Sequence, residues 1–504
     1  SLEQAGKKRS CSVRVSWKQT HGRSKTSKMN AWLLKELEQG NFDFAGLEDL
    51  LWKSSLYLFQ HLMVKILEEF DRYLMETRNK ARYQLKEKNS RTIQTLLGET
   101  SFQRRYYWDR EEARWVYLLD EKLNLERANT IGPGLLRLAV TWATKGPSYR
   151  DARDRLTDLY GAQVLSHEAI RQALLEVSAA YERDVENEIV RKEGEKEVKA
   201  LFIEVDGFGA RMQKNKGVGR RNHRREVKLA VIHEGWVPRG NGKKTDYRLL
   251  NPIYIPVLSE SADFWEHVRG RLHAIYKDID STLIVINGDG APWIREGTSS
   301  FGKSMYQYDR FHVAKELRES FPRGSKKLLQ AHRALKANKM GSLLSVVTSA
   351  WVECEDTKRK EKLEELKDHL LGNHEYIEDY RIRLKRMGYE VPDNWRGLGA
   401  AESNVDKFKN RTAKRGRAWS PEGLQAILTT LSALYQGNLH EKLSRNLQEA
   451  EEWILDRINT GLGNVSKNIH LPSIGVKEGS FPATQHGTKG YAKLFHALQK
   501  VELI

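Results

Sequence analysis

At 504 residues the chain exceeds one ordinary hydrophobic core, so roughly two to four domains, or one core with a large insertion, are expected. Its 85 basic and 67 acidic residues leave a formal charge of +18, a balance that selects for polyanionic partners, nucleic acid first among them. No run of ~18 apolar residues and no signal-peptide pattern occur, and Cys11 and Cys354 stand far apart, which argues against a membrane span, secretion, a disulfide framework and a zinc site. The expected location is a reducing bacterial cytoplasm, associated with the nucleoid.

Residues 1–28 are basic, polar and aperiodic, and read as a disordered leader or as an extension upstream of the natural start. From Met29 to about Lys88 apolar residues recur at helical spacing, describing amphipathic helices that pack together or pair with a second subunit. The stretch FQRRYYWDREEARWVYLLDE (102–121) alternates bulky and polar residues around a charged turn and predicts a β-hairpin, which completes an N-terminal region over 29–130. Residues 131–198 return to helix. SYRDARDRLTDLYG, a short turn and SHEAIRQALLEVS, with Ser166 placed as N-cap, resemble a helix-turn-helix that reads DNA, although two short helices with a turn also occur in any helical domain.

At residue 199 the texture changes. LFIEVDG (201–207), REVKLAVIHEG (225–235), LNPIYIPVLS (250–259) and STLIVINGDG (281–290) predict strands, a helix over 261–278 precedes the fourth, and MYQYD (305–309) is a further short strand. The pattern describes an α/β sheet with an antiparallel side, spanning 199–310. Residues 311–395 are helical and highly charged and read as an insertion, after which the core resumes over 396–440 and a C-terminal region follows over 441–504.

Asp206 ends an apolar strand and is followed by Gly207, and Asp289 repeats the arrangement between Gly288 and Gly290, 83 positions later (289 − 206). Asp before Gly is ordinary turn chemistry. Two such aspartates at strand ends also suit phosphodiester chemistry, in which hard divalent ions take a few carboxylate oxygens and activate an attacking oxygen. That chemistry requires a third carboxylate. Glu402 is the candidate, at the start of a helix after the Gly-rich RGLGAAES, with Asp406 and Lys409 on the same face and Arg411, Lys414, Arg415 and Arg417 close behind. An N-terminal Glu favouring the helix dipole above a solvated basic face is the simpler alternative.

The ordered motifs IEVDG, KLAVIHEGW, INGDGAPWI, YQYDRFHVAKEL and GLGAAESNVDKFKNR followed by AWSPEGLQAIL resemble those of the ISLre-type insertion-sequence transposases, and GETSFQRRYYWD and YLLDEKLNL fit the same family. The resemblance runs from about Met29 onward. It implies a multi-domain α+β chain with a ribonuclease-H-like core, interrupted by a helical insertion, that carries Asp206, Asp289 and Glu402 as catalytic metal-binding residues. It further implies Mg²⁺ or Mn²⁺ as cofactor, in two ions; double-stranded DNA, both transposon ends and target, as partner; and a homodimer or higher oligomer. Neither a membrane nor a nucleotide cofactor is expected.

Asp309 and His312, in YDRFH, are accessory candidates, and Glu204 shares a strand face with Asp206. For the DNA backbone the candidates are Arg211, Lys214, Lys216, Arg220, Arg221, Arg224 and Arg225, directly after the first catalytic strand, with Lys409, Arg411 and Lys414. Trp293 and Trp419 read as core aromatics. GTSSFGKS (297–304) matches a phosphate-loop pattern, but a strand-like segment follows it where that motif needs a helix. RRYY (104–107) offers a tyrosine beside arginines, as a tyrosine recombinase would, and a hairpin explains it as well. The alternative from another class is a non-catalytic helix-turn-helix regulator or a decayed transposase, which leaves the paired strand-end aspartates without a role.

Overall fold

The computed structural model describes residues 38–40, 43–125, 130–191, 194–213, 224–239, 246–258, 261–414 and 416–439. Contacts divide the chain into one unit of Ser1–Phe59 with Arg445–Ile504 and a second of Gln60–Ser444. Lys214, Lys216, Arg220 and Arg221 lie outside the described residues, as do the leader and the C-terminal region expected from 441.

Helix α1 (Phe44–Thr77) stops well before Lys88, and strand β1 (Tyr83–Thr95) takes over, so the helical expectation runs too far. The cause lies in the strand itself: in YQLKEKNSRTIQT residues 84–88 are exposed on both faces and the buried positions include Arg91 and Thr95 beside Ile93, so no apolar alternation shows. β1 pairs antiparallel with β2 (Gly98–Asp109), and β3 (Arg114–Val116) pairs with β2 around the charged turn, as the hairpin reading required. Asp71 of α1, fully buried, accepts from the Arg105 backbone N–H at 3.0 Å and from its Nη1 at 2.6 Å, fastening helix to sheet. Asp120, on the short α2 (Leu118–Lys122), takes Arg91 and Arg104 as buried partners.

Three helices follow: α3 (Pro133–Lys145), α4 (Tyr149–Tyr160) and α5 (His167–Arg191). Ser148 caps α4 and Ser166 caps α5, its Oγ accepting the Ala169 N–H at 3.0 Å as expected. Two helices joined by a short turn are therefore present, the second of 25 residues with Ile170 and Leu174 in the core.

Next comes a five-stranded sheet built from β4 (Ala200–Arg211), β5 (Arg224–His233), β8 (Ile253–Val257), β9 (Leu283–Gly288) and β10 (Ser304–Tyr308). A two-stranded ribbon, β6 (Trp236–Arg239) with β7 (Asp246–Leu249), separates β5 from β8, and helices α6 (Ser261–His273) and α7 (Pro292–Arg295) flank β9. The spatial order is β10-β9-β4-β5-β8. β5 runs antiparallel to β4 and β8, while β9 and β10 run parallel to β4. This is the mixed α/β arrangement with an antiparallel side that the strand pattern described.

Strand alternation divides the core into two layers. Leu201, Ile203, Val205, Ala230 and Ile232 face one side, with α6 and the helical block α8 (Arg310–Ser320), α9 (Lys326–Lys336), α10 (Met340–Glu353) and α11 (Thr357–Ile377). Leu328, Leu343, Leu363 and Leu370 of that block belong to the same apolar cluster as Leu201, so the expected insertion serves as one layer of the core. Between Ile377 and Tyr380 the chain crosses to the other side, where α12 (Tyr380–Arg386) packs on Phe202 and Val285, and α13 (Ala401–Thr412) and α14 (Pro421–Gln436) pack with α3, α4 and α5 on Phe208, Ala210, Leu229 and Val231. No helix among the described residues is long and apolar enough to cross a membrane.

Candidate active site

The ladder between β4 and β9 runs from Ala200↔Leu283 to Glu204↔Asn287, an offset of 83 (283 − 200). Asp206 and Asp289 have the same offset (289 − 206), so each stands two residues past the last pair, at the same end of neighbouring parallel strands. The ladder between β9 and β10 has an offset of 20 (304 − 284), which sets Asp309 beside Asp289 (309 − 289). Three aspartates thus share one rung: Asp289 and Asp309 directly follow β9 and β10, at the C-terminal edge where open α/β sheets hold ligands, whereas Asp206, read from the sequence as the end of its strand, lies inside β4, which continues to Arg211 beside β5.

Asp206 is 8% exposed and lies in the β4 row that α13 covers, between Glu204 and Phe208. Its Oδ1 accepts the Gly207 N–H at 2.7 Å, and Lys409 Nζ of α13 stands 4.0 Å from Oδ2. Burial pushes the Asp206 carboxyl above its ordinary value; Lys409 and the Gly207 N–H oppose the rise, and the charge of Glu402 adds to it. Asp206 therefore feels Glu402 although 196 positions separate them (402 − 206). Glu402 is half-buried in the first turn of α13, and its carboxylate makes no hydrogen bond or ion pair among the described residues. Asp289, also half-buried, accepts the Ala291 N–H at 3.1 Å in the turn that leads into α7.

α13 owes its position to Glu204. This carboxylate is fully buried, and its Oε2 accepts backbone N–H groups of Gly399 at 2.8 Å, Ala400 at 2.7 Å and Ala401 at 3.2 Å, the donors that a helix start leaves unpaired. Asn287 Nδ2 donates to the same oxygen at 3.2 Å, and His233 Nε2 lies 3.3 Å from Oε1. His233 Nδ1 lies 3.1 Å from the Gly235 carbonyl oxygen and 3.2 Å from the Gly235 N–H, so the ring is held from both sides. Gly399, at φ +143°, makes the turn into the helix in a conformation closed to other residues. Glu204 thus acts as a helix anchor, a role that strand-face alternation alone does not indicate.

Asp309 is 1% exposed and caps α8 by accepting the Phe311 N–H at 2.9 Å, while its Oδ2 lies 3.3 Å from His312 Nδ1. That hydrogen bond raises the His312 pKa above the ordinary histidine value against the effect of burial, and the charges of Asp309, Asp206 and Asp289 raise it further. One imidazole accordingly lies within the field of all three aspartates of this rung.

The proposed DNA contacts divide. Arg211, Arg224 and Arg225 are exposed beside the sheet edge. Lys409 instead faces Asp206, and Lys414 Nζ pairs with Asp406 at 2.7 Å. Arg411 is a correction: it is 5% exposed, donates to the Ala143 carbonyl at 3.0 and 3.2 Å and lies 5.0 Å from the Trp419 ring centre, so it is a core residue. Trp419 is buried, its Nε1 donating to the Thr412 carbonyl at 2.8 Å. The phosphate-loop match forms a 3-10 turn (Glu296–Ser300) followed by β10, with no helix after it.

Among the described residues no three His, Cys, Asp or Glu side chains converge closely enough to hold a metal ion. Asp206 feels the charge of Glu402, Asp206, Asp289 and Asp309 all act on His312, and Lys409 lies 4.0 Å from Asp206.

Comparison with known proteins gives relatives over most of the length. A UPF0236 protein of Caldanaerobacter subterraneus subsp. tengcongensis is 27% identical over 405 residues, covering 80% of this chain and 79% of the relative. Another from the same organism, whose name joins eleven locus designations, is 29% identical over 365 residues, covering 72% and 71%. A UPF0236 protein in the vanSb 3′ region of Streptococcus gallolyticus is 29% identical over 398 residues, covering 77% and 82%. Among solved structures, a chain of the Drosophila P element transposase strand transfer complex aligns with a TM-score of 0.24 and 11% identity, over 67% of this chain and 88% of that one. The pattern of the family described as Uncharacterised protein family (UPF0236) matches residues 37–449, and the chain belongs to that family.

Proposed function

We propose that the chain is a DNA transposase with a ribonuclease-H-like core, in which Asp206, Asp289 and Glu402 form the catalytic carboxylate set for DNA cleavage and strand transfer at insertion-sequence ends. The observation that carries this reading is the shared offset of 83, which sets Asp206 of β4 on one rung with Asp289, just past β9, while the charge of Glu402 reaches Asp206 from the helix above. A sheet of three antiparallel strands followed by two parallel ones supports the ribonuclease-H-like assignment. The charge of +18 favours a polyanionic substrate, and a relative whose name joins eleven locus designations is what a gene that copies itself about a genome would leave.

The donor set is all oxygen and all carboxylate, which suits a hard divalent ion. Burial and the nearby Glu402 both disfavour the charge on Asp206, so a cation in addition to Lys409 would stabilise it. Asp206, Asp289 and Glu402 do not converge on one point in this arrangement and would have to draw together to hold Mg²⁺ or Mn²⁺, in two ions. Bound metal supplies the Lewis acidity that activates water, and afterwards a 3′-hydroxyl, for attack on phosphorus. The remaining work belongs to the chain. Glu204 fixes the helix bearing Glu402, His312 lies in the field of the aspartates, which favours its protonation, and Arg211, Arg224 and Arg225 would steady the DNA backbone. Two ends brought together imply a dimer or higher assembly.

The test compares wild type with Asp289→Ala on DNA that carries the element's ends. Metal-dependent nicking by wild type, lost in the variant with DNA binding retained, is expected. Equal nicking by both would sink the assignment, and a wild type that binds but never cuts would favour the regulator or a decayed element.

A further inference from the structure

On the far side of α13 from the carboxylates the chain forms a cleft of about 1110 Å³. Its walls are the β6–β7 ribbon, the start of β8 and the α13 face that carries Ala400, Ser403, Asn404 and Lys407. At 3.6 residues per turn, Ser403 and Lys407 stand roughly 100 to 140° around the helix from Glu402. α13 therefore separates the cleft from the candidate active site, and the two are distinct surfaces.

The cleft is cationic. Arg239 and Arg248 on the ribbon, Arg396 before α13 and Lys407 on it line its sides. Glu234, the carboxylate among the lining residues, is already satisfied by Lys196, by Asn251 Nδ2 at 2.9 Å and by the Tyr276 hydroxyl at 2.8 Å. Arg239, Arg248 and Arg396 form no ion pair among the described residues, although Asp246 is the cross-strand partner of Arg239. Three arginines that share a concave wall, none of them in an ion pair among the described residues, repel one another and focus a positive potential that Asp246 offsets only in part. The cleft also offers a flat surface. The Arg396 guanidinium lies 3.6 Å from the centre of the Tyr247 ring, and Tyr247 remains 39% exposed.

Unpaired arginines beside a guanidinium–tyrosine stack have the chemistry of a surface that takes phosphates on its cations and a base on its flat face. The volume exceeds a typical small-molecule pocket of about 300 to 1,000 Å³ and suits an extended ligand. We infer that this cleft binds a single strand of DNA, with phosphates on Arg239, Arg248 and Arg396 and a base stacked at Tyr247. The inference rests on the transposase reading in one respect: strand transfer needs two DNA segments held at once, and the carboxylates account for one.

The experiment measures anisotropy of a fluorescein-labelled 20-nucleotide single strand and of its duplex, in EDTA, with the full chain over a range of salt. Arg248→Ala with Arg396→Ala should weaken single-strand binding at least tenfold and flatten the salt dependence by about 0.7 for each phosphate no longer neutralised. Tyr247→Ala should weaken single-strand binding and leave the duplex unchanged. Should the double variant fail to fold, photo-crosslinking of a halogenated single strand to Tyr247 in wild type decides the matter, and no crosslink overturns the inference. Unchanged affinity and slope in a folded variant would overturn it too, as would displacement of the strand by polyglutamate of equal charge as readily as by unlabelled DNA. Because metal is absent, the outcome is separable from cleavage. A chain that binds through Tyr247 but never nicks keeps the cleft and loses the nuclease, and one that nicks while both variants bind as wild type does the reverse.

Discussion

Glu204 Oε2 accepts the Ala400 backbone N–H at 2.7 Å, so the central strand that carries Asp206 is tied directly to the start of the helix that carries Glu402. The two carboxylates of the candidate site are thereby placed by a third, two residues from Asp206 on the same strand face. Glu204→Ala would leave the N–H groups at residues 399–401, Asn287 and His233 without their buried acceptor. An unsatisfied buried donor costs about 1–3 kcal/mol, and several are stranded together, so urea unfolding should show a loss of at least about 3 kcal/mol. Glu204→Gln keeps one carbonyl acceptor and should lose less, about 1–2 kcal/mol, while metal-dependent nicking falls in the folded protein as α13 shifts. An alanine variant as stable as wild type would remove Glu204 from its anchoring role.

How much of this was readable from residues alone follows from where the restraints lie. In LFIEVDGF the alternation of Leu201, Ile203 and Val205 against Phe202 and Phe208 locates a strand buried on both faces, and Glu204 is the misfit in it. A buried charge in such a row signals a partner, but that partner is 196 residues away in sequence (400 − 204), a pairing no local pattern encodes. The alignment of Asp206 with Asp289 depends on strand register, which the positions of Gly207 and Gly288 hint at and the parallel ladder fixes. Arg411 misled for a related reason. Its neighbours in NRTAKRGR look like a solvated basic run, and only the packing of α13 on α3 turns this one residue inward. The hairpin and the capping serines were legible because turn and cap chemistry is local.

His312 should give stability a distinct dependence on pH. Its folded pKa is raised above 6.5, chiefly by the hydrogen bond to Asp309, so the protonated form is favoured by folding. The resulting stabilisation is fully present below the ordinary histidine value and is lost as pH rises through the folded pKa. Wild type should therefore exceed His312→Gln in stability at pH 6, and the gap should shrink by pH 9. Asp309→Asn should remove most of this dependence and leave the α8 cap nearly intact, because Asn and Asp cap helices about equally well. Chemical denaturation at both pH values checks this, and a gap that widens with pH would contradict the assigned pair.

Lys409 and divalent metal should compete for Asp206. The ammonium stands 4.0 Å from Oδ2 and holds the carboxyl below the value that burial alone would impose. Lys409→Met removes that opposition, so the Asp206 pKa rises further and the acid limb of metal binding moves to higher pH. Well above that limb the variant lacks a cation that repels metal, and Mn²⁺ affinity should increase severalfold, as titration calorimetry at pH 8 would show. If Lys409→Met binds Mn²⁺ more weakly than wild type at pH 8, the lysine supports the site instead of competing for it.

Arg411 and Arg224 separate structural from electrostatic roles within the basic population. Burial lowers the Arg411 pKa to about 10, and its guanidinium donates to the Ala143 carbonyl between the Tyr149 and Trp419 rings. Arg411→Ala opens a cavity and strands a buried carbonyl, an expected loss of about 2–4 kcal/mol. Arg411→Met fills much of the volume and should recover part of it, because replacing a buried ion by an apolar side chain of similar size is often neutral. Neither change should alter the salt dependence of DNA binding in protein that remains folded, since the side chain never meets phosphate. Arg224→Ala, at an exposed position beside the carboxylate edge, should do the opposite: leave unfolding within about 0.5 kcal/mol of wild type and reduce the salt slope for duplex DNA by about one. A salt slope that falls in Arg411→Met and stays fixed in Arg224→Ala would place the duplex on the far side of the molecule from β5 and overturn the assignment of this edge as the DNA-facing surface.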